Sequence, residues 1–215
     1  PGFLNLFLSS GWYLDAVQRM LDQGDDYGGE VLPAAERRKV NIEFVSVNPT
    51  GPLHVGHARY AAYGDSLCRL FSFAGHEVTR EFYVNDHGTQ MTKFGQSLAV
   101  RYAQRLGVDF PLPEDAYRGD YVIAFADLLV GEVGESYRQA VLSARPDVGR
   151  LSPEVLDFFK FWGRDRVLDL FRATLERLRV PFDVWKSEAS LYEGEATAVH
   201  RGFSGEVGRA LAEMD

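Results

Sequence analysis

The apolar positions alternate, turn helical, and alternate again along the chain. Phe3-Leu4-Asn5-Leu6-Phe7-Leu8 alternates like the end of a strand. Leu14, Val17 and Leu21 then share one face of a helix predicted from Trp12 to about Gln23. The next stretch, Gly24-Asp25-Asp26-Tyr27-Gly28-Gly29, has the composition of a linker. Val40, Ile42, Phe44, Val45 and Val47 predict a largely buried strand over 40–47. Asn48-Pro49-Thr50-Gly51-Pro52 stops it, because proline cannot donate to a central ladder. A helix is predicted from about His57 to Ala74, with Gly75 at its end, and a second strand over 77–84. After the turn Asn85-Asp86-His87-Gly88, a further helix runs from about Gln90 to Leu106. Strand, helix and strand at this spacing predict a right-handed parallel βαβ unit.

The second half reads as mostly helical. Residues 107–120 form a loop, and helices cover 120–130 and 132–143. Ser152-Pro153-Glu154 supplies an N-cap, a first-turn proline and an acid that suits the helix dipole. That helix is expected to reach Leu178. Pro181-Phe182-Asp183-Val184-Trp185 reads as a short strand, and 205–214 as a last helix. The expected class is α/β, a parallel sheet carrying a helical insertion over about 107–180.

Composition narrows the partners. The 215 residues are 46% hydrophobic and 25% charged, an ordinary globular balance. Lys and Arg number 23 against 31 Asp and Glu, a net −8, which excludes a basic coat for nucleic acid but not a local patch. The single cysteine, Cys68, excludes an intrachain disulfide framework and a multi-cysteine zinc site, and suits a reducing cytoplasm. No apolar run has the length of a membrane span. The chain opens at Pro1 without a methionine or a signal-like leader, the expected look of a piece of a longer protein.

The chemistry concentrates in residues 41–65. His54 and His57 flank Val55-Gly56 where a strand passes into a helix. The helix N-terminus offers free N–H groups to phosphates, and histidines can donate to phosphoryl oxygens as charge develops. Gly56 leaves room for a ligand to approach the backbone. The plainer alternative for a lone His-x-x-His is a pair of structural caps. Zinc fits poorly, since no third ligand stands at suitable spacing. Glu43 lies in a strand expected to be central and covered on both faces, where an unpaired acid would be costly. A substrate contact is therefore favoured over a solvent-facing charge. Asn85, Asp86 and Gln90 sit at the C-terminal end of a strand, where ligands of open α/β sheets gather. They serve equally well as turn and cap residues.

His54-Val55-Gly56-His57 resembles the first signature of class I aminoacyl-tRNA synthetases. The flanking blocks are more specific. Glu43-Phe44-Val45-Ser46-Val47-Asn48-Pro49-Thr50-Gly51-Pro52-Leu53 resembles the strand and loop of arginyl-tRNA synthetases. Gly2-Phe3-Leu4-Asn5, residues 79–90, Pro181 to Glu188 and Ser190-Leu191-Tyr192 resemble further blocks of that family, in the same order.

The resemblance implies a partial Rossmann-like fold of the class I synthetase (HUP) type. It also implies a division into two parts. Residues 1–32 would be the tail of an N-terminal domain with its linker, and 33–215 the first part of a nucleotide-binding catalytic domain; the linker composition of 24–29 and the change of pattern at Val40 place a boundary near residue 38. It implies activation of L-arginine by ATP and transfer of arginine to tRNA(Arg). ATP is a substrate, and Mg2+ is expected to travel with it rather than be held by the protein. His54, Gly56 and His57 would face ATP, with both histidines catalytic. Glu43, Asn48 and Glu188 would meet arginine, Asn85, Asp86 and Gln90 being further candidates. A cytoplasmic, monomeric parent with no membrane association is implied too.

The second class signature, Lys-Met-Ser-Lys-Ser, does not occur in these residues, and no lysine precedes His54 in its loop. The chain alone is therefore expected to be inactive. Two other readings remain open. One is a non-catalytic synthetase-like module that binds nucleotide or tRNA; the other is a related nucleotidyltransferase.

Overall fold

The fold is known from a computed structural model that describes residues 2–29 and 32–192. The elements are α1 (Ser10–Gln23), β1 (Lys39–Glu43), α2 (Val55–Phe73), β2 (Glu77–Val84), α3 (Thr89–Arg105), α4 (Asp120–Val133), α5 (Arg138–Ser143), α6 (Pro153–Arg177) and β3 (Val184–Ser187). The last predicted helix, 205–214, lies outside the described residues.

The three strands form one parallel sheet in the order β1-β2-β3. Lys39 pairs with Glu77 and Glu43 with Glu81, while Glu81 pairs with Val184. The βαβ unit is thus present, its crossover made by α2. Side chains alternate across the sheet. On one face Phe82 stacks on Trp185 at 4.4 Å and meets Phe171 of α6 at 5.9 Å; Phe82 and Phe171 are buried in one hydrophobic core and half-buried Trp185 packs against it. The other face carries exposed Asn41 and Glu43 and half-buried Glu81, Tyr83 and Lys186. Among the described residues β1 is therefore an edge strand, and the expected burial on both of its faces does not hold.

Two strand boundaries differ from the sequence pattern. β1 ends at Glu43 rather than 47, because Val45 (φ 68°) and Ser46 (φ 38°) take left-handed backbone. Such a conformation disfavours residues with a Cβ, at roughly 1–2 kcal/mol each. β3 starts at Val184 rather than 181, since Asp183 spends its carboxylate on the Arg80 N–H (2.8 Å). The predicted helix 132–143 is broken. α4 stops at Val133 before left-handed Gly134, and α5 starts at Arg138. Residues 2–9 form no strand; Phe3, Leu4, Leu6 and Phe7 are exposed and unpaired by any ladder.

The helical half packs around α3. Met91, Phe94, Leu98, Val100 and Tyr102 are fully buried there, against Val122 and Leu129 of α4 and Phe159 of α6. Ser152 caps α6 as expected, its hydroxyl accepting from the Val155 N–H (3.4 Å) with Pro153 in the first turn. In α1 only Ala16 is buried, and Leu14 and Leu21 face solvent. No helix of the described residues is long and apolar enough to cross a membrane.

Candidate active site

The site gathers at the C-terminal end of the sheet, where the chain leaves β1 and β2. The two histidines fold there as reciprocal caps of α2. The His54 ring accepts the Gly56 N–H at Nδ1 (3.1 Å), and the His57 ring accepts the His54 N–H at its own Nδ1 (3.2 Å). The rings stack at 3.7 Å. The capping alternative is thus realised, and it leaves the chemistry available. With both Nδ1 atoms accepting, each neutral ring carries its proton on Nε2, a donor free to turn to a ligand. Burial, then the neighbouring His54, lowers the His57 pKa, so this ring is neutral near pH 7. Gly56 matters for the cap itself. A Cβ there would stand 2.9 Å from the His54 ring, so the glycine first makes room for histidine.

The pair opens onto a cleft of about 350 Å³ between the start of α2 and the end of α6, lined by Leu53, His54, His57, Ala61, Thr174 and Arg177. A larger cleft of about 590 Å³ lies between Arg69, Arg172, Arg179 and Trp185 and contains none of the candidate residues. The positions of the chemistry-bearing groups, not cleft size, locate the site.

The other candidates divide. Asn48 donates from Nδ2 to the Asn85 carbonyl (2.9 Å), and Asn85 donates back to the Ser46 carbonyl (3.4 Å). The Ser46 hydroxyl accepts the Tyr83 N–H (3.0 Å), so the left-handed bend is stitched to β2. Asp86 is buried and bonded to Ser187, to the Ala189 N–H and to Arg164. Glu188 is half-buried between Ser187 and Ala189, and its N–H donates to the Val84 carbonyl (3.0 Å). Glu43 is exposed on the polar sheet face, so the burial argument for its role falls. Gln90 is exposed on the first turn of α3, outside this bonded cluster.

Tyr83, Ser46, Tyr121 and Arg164 carry weight that sequence reasoning missed. Burial raises the Tyr83 phenol above its ordinary value, and the charges of Glu188, Tyr192, Asp86 and Glu43 raise it further. Both candidate glutamates therefore act on one phenol. Tyr121 of α4 donates its hydroxyl to the Thr50 carbonyl (2.7 Å), fixing the loop that delivers His54. The alternation of β2 offered a signal for Tyr83. Arg164 had none, lying 78 residues from its partner. Among the described residues no group of three His, Cys, Asp or Glu side chains is placed to hold a metal ion.

Residues 16–199 match the family of class I tRNA synthetases (R), catalytic domain. The chain belongs to that family. The arginine–tRNA ligase of Bacillus subtilis (strain 168) is 43% identical over 193 residues, covering 90% of this chain and 33% of its own. That of Geobacillus kaustophilus (strain HTA426) is 41% identical over 214 residues, covering 100% and 34%. A crystal structure of a putative arginyl tRNA synthetase from Campylobacter jejuni superposes with a TM-score of 0.70 at 30% identity, covering 86% of this chain and 38% of that one. The chain thus spans about a third of the curated relatives it matches. The α/β fold with a parallel sheet is that of a class I arginyl catalytic domain.

Proposed function

We propose that this chain supplies the first half of the active site of an arginine–tRNA ligase. The observation that carries the reading is the reciprocal histidine cap, which holds two Nε2 donors at the mouth of a cleft on the signature turn. The arginine carboxylate attacks the α-phosphorus of ATP, the bond to pyrophosphate breaks, and arginyl-adenylate forms. A ribose hydroxyl of tRNA(Arg) then attacks the activated carbonyl, and AMP leaves. The first step is an in-line displacement, so positioning and charge stabilisation dominate. His54 and His57 donate to ATP, with Gly56 between them. Mg2+ accompanies the nucleotide, bound through its phosphates.

Glu43 and Glu188 pair the guanidinium, whose five donors in a fixed fork demand acceptors, and Asn48 meets the backbone groups of arginine. Glu43 closes β1 and Glu188 follows β3 at the same end of the parallel sheet, which supports their convergence. The exposed faces of α1 support residues 1–32 as part of a separate unit, with 33–215 the first part of the catalytic domain. A monomeric parent working in the cytoplasm completes the reading.

The test is arginine-dependent ATP–pyrophosphate exchange, with tRNA present, in the full natural chain that carries these residues. Exchange with arginine and not with other amino acids is expected. Exchange driven by nicotinamide mononucleotide or phosphopantetheine instead would establish the nucleotidyltransferase alternative. The 215 residues alone, without a Lys-Met-Ser-Lys-Ser loop, should turn over at least ~10²-fold more slowly.

A further inference from the structure

Two consecutive residues at the end of β2 each govern one of the side chains assigned to arginine. The Asn85 carbonyl holds the Asn48 amide (2.9 Å). Asp86 grips both neighbours of Glu188. Its Oδ1 accepts the Ala189 N–H (2.8 Å), and the Ser187 hydroxyl is shared between Oδ1 (2.9 Å) and Oδ2 (2.7 Å). A third donor, Arg164 of α6, reaches Oδ2 at 3.1 Å. The Asp86 side chain is only 1% exposed. Its oxygens are taken by protein donors and its surface is closed, so it cannot also contact a substrate. The role of direct ligand, open from the sequence, does not suit this geometry.

We propose that Asp86 is a positioning residue. It fixes the backbone of Ser187–Ala189 on both sides of Glu188, and so the direction of the Glu188 carboxylate. It also ties that direction to α6 through Arg164. A carboxylate so buried is held in place by its partners, and removing one leaves charge or donors uncompensated. The Glu188 N–H bond to Val84 pins the same segment from the strand side. Specificity for arginine then depends on a residue that never meets it. This rests on the reading that Glu188 pairs the guanidinium.

The experiment uses the full natural chain and two variants. Asp86→Asn should raise the arginine KM about tenfold or more, since small misplacements of positioning groups have large effects. The ATP KM should change less than twofold. Ser187→Ala keeps the Arg164 and Ala189 bonds but loses the hydroxyl's bond to Asp86 and the weaker one it accepts from the Ser190 N–H (3.4 Å), and should raise the arginine KM roughly threefold. In both variants, backbone amides 187–191 should exchange hydrogen faster than in the unaltered protein. Unchanged arginine KM with unchanged amide exchange would overturn the assignment. So would equal rises in the arginine and ATP KM, which mark general loosening. If Asp86→Asn does not fold, Ser187→Ala decides by the same criteria. Absence of arginine-dependent exchange in the unaltered protein would defeat the Glu188 reading instead, while amide exchange would still decide whether Asp86 holds the segment.

Discussion

The turns that follow β1 and β2 lie side by side at one end of the sheet and are built in opposite ways. The first bends through left-handed Val45 and Ser46, leaves Glu43 in solvent, and delivers two histidines whose Nε2 atoms are uncommitted among the described residues. The second buries a carboxylate and binds it to three donors. One turn presents chemistry; the other holds what is presented. The difference teaches that ionisable residues at neighbouring strand ends need not share a role. Burial and the count of committed lone pairs separate a group that can meet a ligand from one that cannot.

The largest expected effect falls on the presenting turn. His57→Asn retains an acceptor near the His54 N–H but deletes the Nε2 donor. The rate constant kcat should fall by about 10²-fold, as for loss of a transition-state donor, with little change in Tm. Single-turnover adenylate formation with full-length protein measures it. A kcat within threefold of the unaltered protein would make the histidine pair a cap and nothing more. Glu188→Gln comes next. Loss of a charged hydrogen bond of roughly 1.5–3 kcal/mol should raise the arginine KM about tenfold or more. The same substitution at Glu43, which is exposed and screened, should have the smaller effect of the two. Equal effects would erase the distinction that their burial draws.

Much of this was legible from residue pattern, and the failures have physical causes. β2 was found over the predicted 77–84, and the cap of α6 at Ser152, because strand alternation and capping are local. The end of β1 was not legible. Val45 and Val47 are good strand formers, and bonds to residues about 37 positions away, from the Tyr83 N–H and the Asn85 side chain to Ser46 and from Asn48 to the Asn85 carbonyl, hold the bend against that preference. The two roles of Asp86 and Arg164 depend on side chains far apart in sequence, which no single-chain periodicity encodes. The histidines were legible as a pair and ambiguous as to role, and the geometry shows that capping and donation are compatible.

Gly64→Ala probes how the presenting turn is seated. Phe44 follows β1 directly and packs on α2 at Gly64, where a Cβ would lie 2.2 Å from the ring. Phe44 also meets Phe182 at 4.4 Å, so it has little room to retreat. Overpacking of this kind costs about 1–3 kcal/mol. Urea unfolding should show that loss, and the bend at Val45 should shift with it. A neutral Gly64→Ala would mean that Phe44 moves freely and that the turn is not anchored there.

The smallest effect is expected where the helical half touches the presenting loop. The Tyr121 hydroxyl donates to the Thr50 carbonyl, and burial pushes its pKa up to about 12, Tyr117 adding to the rise. The sign follows from linkage. A phenol whose folded pKa lies above its unfolded value of about 10 binds its proton more tightly when folded. Its contribution is fully present below pH 10 and is lost as the pH climbs toward 12. Tyr121→Phe removes the hydrogen bond, at about 0.5–1.5 kcal/mol, and removes this titration. At pH 7 the variant should be slightly less stable than the unaltered protein. Between pH 10 and 12 its stability should fall less steeply, so the two curves converge and then cross, a rise in pKa from about 10 to about 12 outweighing the bond's ~0.5–1.5 kcal/mol. Denaturant titrations at pH 7, 10, 11 and 12 measure both slopes. Parallel curves would show that Tyr121 does not lose its proton with unfolding, and equal stabilities at pH 7 that this bond does not hold the loop before His54.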